Sequence, residues 1–273
     1  MERRIDNNRA IWLGAVAGVA LVGTLYWFIR HQDVADVMNA PPTSAELPAE
    51  SAPLPEETPP ASYPVPEPAA QAEPLPDLDG SDESFRAAIA GAVGQAPVEA
   101  FLLPSKVIQR FVIFVDNLDR AALPLRFWPI AHTKGPFGVD AANDAMTVSA
   151  KNAARYEPFL AAFESADPKK VVAVYYRYYP LFQEAYRQVG YPDRQFNDRL
   201  IAIIDHLLEA PTITEPVALV RPKVLYQFAD PEIEKLSWGQ KTMIRIGPAN
   251  EARVKAKLEG YRAALTVVTA PKP

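Results

Sequence analysis

Over residues 81–267, apolar residues recur at the three- and four-residue spacing of helices that bury one face. Asp167 and Asp230 each precede a proline, which pairs a capping side chain with a favoured first helical residue. The third strong helix begins near Asp193, and its apolar stripe comprises Phe196, Leu200, Ile203, Ile204, Leu207 and Leu208. The pattern predicts a mainly α domain of about seven to eight helices.

Two stretches depart from this helical pattern. FGVD and MTVS, joined by AANDA, alternate as a small β-hairpin would, and residues 217–228 (VALVRPKVLYQF) read as a short extended piece. Within the helix that starts at Pro168 and runs to Gly190, Pro180 predicts a kink, because proline lacks the amide that a helix interior needs.

Residues 10–29 form an uncharged apolar run of twenty residues, about 30 Å of helix, which matches the hydrocarbon core of a bilayer. A cleaved signal peptide is the alternative, but this run is longer and ends in three aromatic residues, as a retained helix does. Arginines dominate the N-terminal flank, so residues 1–9 are predicted to be cytoplasmic. The chain is therefore expected to be a single-pass membrane protein with its C-terminal domain outside the cytoplasm.

Gly14 and Gly18 form a GxxxG pair inside this predicted membrane helix. Two glycines on one face let two helices approach closely, which is compatible with a homodimer. Small residues are also common in membrane helices without any pairing role, and both interpretations stay open.

Charge divides the chain into three parts. Residues 31–85 hold twelve acidic residues and no Lys or Arg, and residues 86–273 carry 24 basic and 19 acidic residues. Twelve prolines also fall between Pro41 and Pro76. Such composition cannot bury enough surface to fold, so residues 30–80 are predicted to be a disordered, extended linker. The predicted helical domain follows at 81–267, and residues 268–273 form a tail.

Catalytic signatures are scarce in this chain. It has no cysteine and three histidines, and it lacks a P-loop, GxGxxG, HExxH or GxSxG motif, so no metal and no cofactor is predicted. Glu184 and Asp205 are the candidate catalytic carboxylates for an enzyme acting on peptidoglycan or another glycan. Asp205 precedes His206, but neighbours on a helix point about 100° apart and do not face each other.

Asp116 enters a strongly apolar helix and stands four residues before Arg120. This spacing suits an ion pair, and the position indicates either a functional site or a buried hydrogen-bonded brace. The brace is the favoured interpretation.

A tyrosine-rich stretch surrounds Pro180, and Tyr175, Tyr179 and Tyr186 are its candidate binding residues. A tyrosine ring has an apolar face and a polar tip, which suits sugar or peptide binding. Helical spacing nevertheless turns about half of these rings towards the core, so core packing is the competing interpretation.

Basic residues concentrate at the C-terminal end, where residues 237–273 hold seven basic and two acidic residues. Candidate binding residues are the like-charged i, i+4 pairs Lys241/Arg245 and Arg253/Lys257, which repel unless an anion lies opposite. An anionic partner, the acidic linker of the chain itself, or plain solvation would each account for them. Nothing points to nucleic acid, since no groove-reading or base-stacking motif is present.

Several segments in order, among them RFVIFVDNLDR, LVRPKVLYQFADPEIEKL and QKTMIRIGPANEARVKAKL, resemble a bacterial envelope family known only as domain-of-unknown-function family number 3014. The resemblance covers roughly residues 80–265. It implies a single-pass protein of the bacterial inner membrane with a proline-rich spacer and a periplasmic C-terminal domain, and it supplies no activity. The leading hypothesis is a non-enzymatic periplasmic binding or scaffold domain whose partner is an envelope protein or cell-wall component.

Overall fold

The computed structural model describes residues 62–66, 73–123, 128–131, 133, 135–142 and 145–266. The predicted anchor at 10–29, including Gly14 and Gly18, lies outside these residues, as do both predicted tails and most of the linker predicted at 30–80. Within the described ranges, no helix combines the length and the apolar character needed to cross a membrane.

The described part of the chain is mainly helical, as predicted, with nine α-helices, two short 3-10 helices and four strands. The α-helices are α1 (Asp82–Val93), α2 (Gln95–Phe101), α3 (Val107–Asp116), α4 (Glu157–Ser165), α5 (Pro168–Gln188), α6 (Phe196–Leu208), α7 (Pro231–Lys235), α8 (Trp238–Arg245) and α9 (Pro248–Thr266). The 3-10 helices span Leu78–Gly80 and Ala150–Arg155. The strands are β1 (Val139–Ala142), β2 (Ala145–Val148), β3 (Ala218–Val220) and β4 (Gln227–Phe228).

The main core lies where α1, α3, α6 and α9 pack on the long helix α5. Phe196 is fully buried at the start of α6, and its ring stacks on Phe182 with centroids 5.9 Å apart. The helix begins three residues later than the predicted start near Asp193, because Gln195 is still extended. The Phe196 N–H donates to Oε1 of Gln183 at 2.9 Å, which satisfies an amide that the first helical turn leaves free.

A small antiparallel sheet, ordered β1-β2-β3-β4, lies beside the helical core. The predicted FGVD–MTVS hairpin is confirmed as β1 and β2, with Val139 opposite Val148. The segment predicted only as extended supplies β3 and β4, whose Leu219 and Phe228 face each other in register. Both of these side chains are buried with Ile244 of α8, which fixes the sheet on the helical part.

Part of the predicted linker packs on the domain. The N–H groups of Ser62 and Tyr63 donate to the two carboxylate oxygens of Asp198 at 2.9 and 2.8 Å, and Asn197 Nδ2 donates to the Tyr63 carbonyl at 2.9 Å. Leu78 is buried in the main core. Contacts with the core therefore begin before the predicted boundary at residue 81.

Helix α8 approaches the end of α3 closely enough to require glycine. The Gly239 N–H donates to the Leu118 carbonyl at 2.9 Å, and a Cβ added at Gly239 would lie 2.8 Å from that oxygen. Ser237 caps the same helix by accepting from the Gln240 N–H at 3.1 Å. These contacts set the position of the basic residues that α8 carries.

Candidate functional site

The candidate tyrosines on α5 belong largely to the interior. Tyr175 and Tyr186 are buried in the main core. The Tyr175 hydroxyl donates to Asn197 Oδ1 at 3.2 Å, and the Tyr186 ring stacks on Tyr191 with centroids 4.6 Å apart. Burial raises the pKa of Tyr186 to about 12. Core packing, the competing interpretation, therefore describes these two rings, because packed helices cover their side of α5.

Tyr179 is half-buried, and its hydroxyl is also engaged within the chain. It donates to Gln183 Oε1 at 2.9 Å and lies 3.2 Å from Gln195 Oε1. The same Gln183 oxygen accepts the Phe196 N–H. Tyr179 thus helps to fix the junction between α5 and α6.

Lys241 is buried rather than displayed. Its Nζ lies 3.1 Å from Glu234 Oε1 and donates to the Glu234 carbonyl at 3.0 Å. The partners are close because α7 ends only a few residues before α8 begins. A buried ammonium needs such a partner, so Lys241 stabilises the α7–α8 junction and is not available to an external anion.

Arg245, four residues further along α8, holds its guanidinium 4.9 Å from the centroid of the Phe228 ring. Burial lowers the pKa of Arg245, although the negative charge of Glu234 acts in the opposite direction and raises it. The side chain is partly exposed and forms a cation–π contact that links α8 to the sheet.

The basic side of α9 meets acidic residues of α4. Arg253 donates through Nη1 to Glu157 Oε2 at 2.7 Å and through Nε to Glu164 Oε1 at 2.8 Å. Lys257 donates to the carbonyls of Glu164 and Ala166. The repulsion predicted between Arg253 and Lys257 is therefore offset within the fold, and the anions come from α4.

Replacing Arg253 with glutamine is expected to raise the pKa values of Glu157 and Glu164 towards the ordinary 4.5, because its hydrogen bonds and charge lower both. A carboxylate with a lowered folded-state pKa stabilises the fold above its unfolded pKa and loses that contribution as pH falls. Carboxyl NMR titration of the full chain, labelled at glutamate, checks this. Lys257→Gln is the matched control and should move both pKa values much less; unchanged values in R253Q would contradict the assignment.

The two candidate catalytic carboxylates lie in different settings. Glu184 is exposed on α5 and accepts from Gln188 Nε2 at 3.2 Å. Asp205 pairs with Arg262 of α9, with 3.1 Å between Oδ2 and Nη2. His206 turns elsewhere and shares a 2.8 Å hydrogen bond with Ser237 Oγ, so the prediction that Asp205 and His206 do not face each other is confirmed.

Among the described residues, no group of three or more His, Cys, Asp or Glu side chains is placed to hold a metal ion. A network of charged groups instead surrounds the buried Asp116. Its Oδ2 lies 3.0 Å from Arg120 Nη2, as the sequence spacing predicts, and its Oδ1 accepts from Arg199 Nε at 3.1 Å. Arg199 also reaches Asp119 at 2.8 Å, and Tyr191 donates to Asp116 at 3.3 Å. This arrangement is the predicted brace.

The β3–β4 tip, defined here as Arg221–Leu225, is the surface that sequence reasoning missed. Val224 and Leu225 are large apolar residues that are 76% and 77% exposed. Arg221 Nε donates to the Val224 carbonyl at 3.2 Å, and its guanidinium lies 5.2 Å from the Tyr226 ring centroid. The signal available in the sequence was an apolar segment without any acidic residue from 216 to 229 that nonetheless carries two basic residues.

Comparison with known proteins gives a family and no activity. A family model described as "Protein of unknown function (DUF3014)" matches residues 107–262, which include both the Asp116 network and the β3–β4 tip. No curated protein and no solved structure matches the chain.

Proposed function

Because the chain belongs to the DUF3014 family, whose description names no activity, we propose its function from its geometry. It is a non-enzymatic binding domain that offers the β3–β4 tip to a partner in the bacterial envelope. The apolar run at 10–29 serves as a single-pass inner-membrane anchor, and the acidic, proline-rich residues that follow serve as the spacer on its periplasmic side.

One contrast carries this proposal. The charged candidates are engaged in contacts inside the fold, with Lys241 held by Glu234 and Arg253 held by α4. Val224 and Leu225, in contrast, expose most of their apolar surface to water. Adjacent exposed apolar side chains between basic residues are typical of a contact surface, because water exposure of such groups is unfavourable without a partner.

Site-specific photo-crosslinking in living bacteria tests the proposal. A benzophenone side chain is placed in the full chain at Leu225, with Glu184, an exposed α5 residue, as the matched control. The proposal expects adducts at residue 225 that are missing at residue 184 and that decrease when Val224→Ser is added. Equal labelling at both positions would contradict a specific contact at the tip.

The membrane topology has its own test. Reporter enzymes fused after residue 273 are compared, one active only in the cytoplasm and one active only in the periplasm. Periplasmic activity is expected because the arginines precede the apolar run. An active cytoplasmic reporter with a silent periplasmic one would contradict the proposed topology.

A further inference from the structure

The β3–β4 tip carries two neighbouring apolar residues, Val224 and Leu225, here called the wedge. Val224 and Leu225 are consecutive, yet both are about three-quarters exposed, at 76% and 77%. They lie between the end of β3 at Val220 and the start of β4 at Gln227, so they belong to neither strand. The apolar pair instead projects from a turn, where it is accessible from several directions.

Charge in the sequence around this wedge has one sign. Arg221 and Lys223 are exposed next to the apolar pair, and no Asp or Glu occurs between Glu215 and Asp230. Long basic side chains keep their charges at a polar surface while their stems lie along apolar groups. Tyr226, partly buried under Arg221, adds a ring with an apolar body and a polar tip.

The base of the tip is fixed by packing. Leu219 and Phe228 are buried opposite each other, and the Phe228 N–H donates to Glu234 Oε2 at 2.9 Å. Arg221 closes the turn through the Val224 carbonyl. A contact made by a pre-ordered turn loses little conformational entropy on binding, so even two apolar side chains contribute usefully.

We infer that the β3–β4 tip binds the anionic surface of a lipid bilayer, with Val224 and Leu225 inserted at the headgroup level and Arg221 and Lys223 on anionic phosphates. This inference rests on the proposed function and names its partner. A wedge of two apolar residues is too small for a stable protein interface, which buries about 1,200–2,000 Å². An interfacial lipid contact requires only a few apolar side chains with basic neighbours.

The sequence also places a bilayer within reach. The predicted anchor ends at residue 29, and the described part of the chain starts at residue 62. A tether of this kind turns binding to the same membrane into an intramolecular step with a high effective concentration. Weak insertion of the tip is then sufficient to hold the domain against the lipid surface.

An environment-sensitive dye on the tip tests the inference, since the chain has no cysteine to compete for labelling. The full-length protein, carrying Leu225→Cys labelled with nitrobenzoxadiazole, is placed in nanodiscs of phosphatidylcholine alone or mixed equally with phosphatidylglycerol. We expect a blue-shifted emission about twofold more intense in the anionic nanodiscs, as for a probe entering the interface. Glu184→Cys, labelled in the same way, should not respond.

Two further measurements separate the outcomes. Arg221→Glu with Lys223→Glu, and high salt, should each return the emission to the neutral-nanodisc level, because screening and charge reversal remove the attraction. Equal emission in both nanodiscs would overturn the inference. If the dye already shows the blue-shifted emission in detergent, and deletion of residues 31–61 removes it, then the tip binds the acidic segment of the chain itself and the inference is overturned. If residue 225 crosslinks to a protein and the dye does not respond to anionic nanodiscs, the lipid is not the partner. The proposed binding function would then still hold.

Discussion

Replacing Arg199 with methionine is expected to lower the free energy of unfolding by about 3 kcal/mol. Arg199 provides two contacts to Asp116, through Nε to the carboxylate at 3.1 Å and through Nη2 to the carbonyl at 2.7 Å. Asp116 is buried, so losing this partner leaves a charge in a poorly solvated place with weaker compensation. Urea denaturation of the full chain in detergent, followed by circular dichroism, measures the change.

Arg120→Met is the matched control for this prediction. Arg120 pairs with the same carboxylate, but its side chain is 52% exposed, so solvent screens the pair and its loss should cost less than about 1 kcal/mol. Equal effects of R120M and R199M would contradict the view that burial gives the Arg199 contact its importance.

Acid should weaken the same network. Burial by itself raises the pKa of Asp119. The hydrogen bond and charge of Arg199 outweigh burial and hold this pKa below its ordinary 3.8. A carboxyl group whose pKa is lower in the folded state stabilises the fold at pH values above its unfolded-state pKa. That stabilisation is lost as the pH falls through the folded-state pKa. The stability difference between the parent chain and R199M should therefore narrow below about pH 4.

Replacing Phe196 with alanine is expected to cost about 3–5 kcal/mol, the usual range for a buried phenylalanine. Phe196 is fully buried, and its ring lies 5.9 Å from Phe182 and 5.4 Å from Tyr186, centroid to centroid. Its removal opens a cavity between α5 and α6, where close-packed helices relax only in part. The urea midpoint of the full chain measures the loss.

Leu225→Ala provides the matched comparison for F196A. Leu225 is 77% exposed, so its truncation should change the free energy of unfolding by less than about 0.5 kcal/mol. A loss at Leu225 comparable with that at Phe196 would mean that the tip serves the fold, and the proposed role of the tip would then fail.

Local sequence signals were sufficient for much of the helical architecture. Asp167 accepts the Lys169 N–H at 2.9 Å and Asp230 accepts the Glu232 N–H at 2.8 Å, as the Asp-Pro pairs predict. The hairpin of β1 and β2 followed from alternation over a few residues. Capping and periodicity involve near neighbours, so they can be read directly from the chain.

Partners distant in sequence were beyond this reasoning. Arg253 meets Glu164 89 positions away, and Arg199 meets Asp116 83 positions away. Periodicity identifies a helix face but not the helix that covers it, so the sequence left two interpretations open for Tyr186. In the fold its ring contacts Phe196 of α6. Val224 and Leu225 were equally ambiguous, because a short apolar run normally predicts a buried strand.

Hydrogen exchange of the full chain tests the central claim, that the contact surface is the β3–β4 tip and that the charged and tyrosine residues of α5, α8 and α9 serve the fold. Amide exchange is compared between the protein in detergent and in isolated bacterial envelopes. The account predicts added protection in peptides covering residues 218–229 and unchanged exchange in α5 and α9. Protection gained on α5 or α9, with residues 218–229 unchanged, would contradict it.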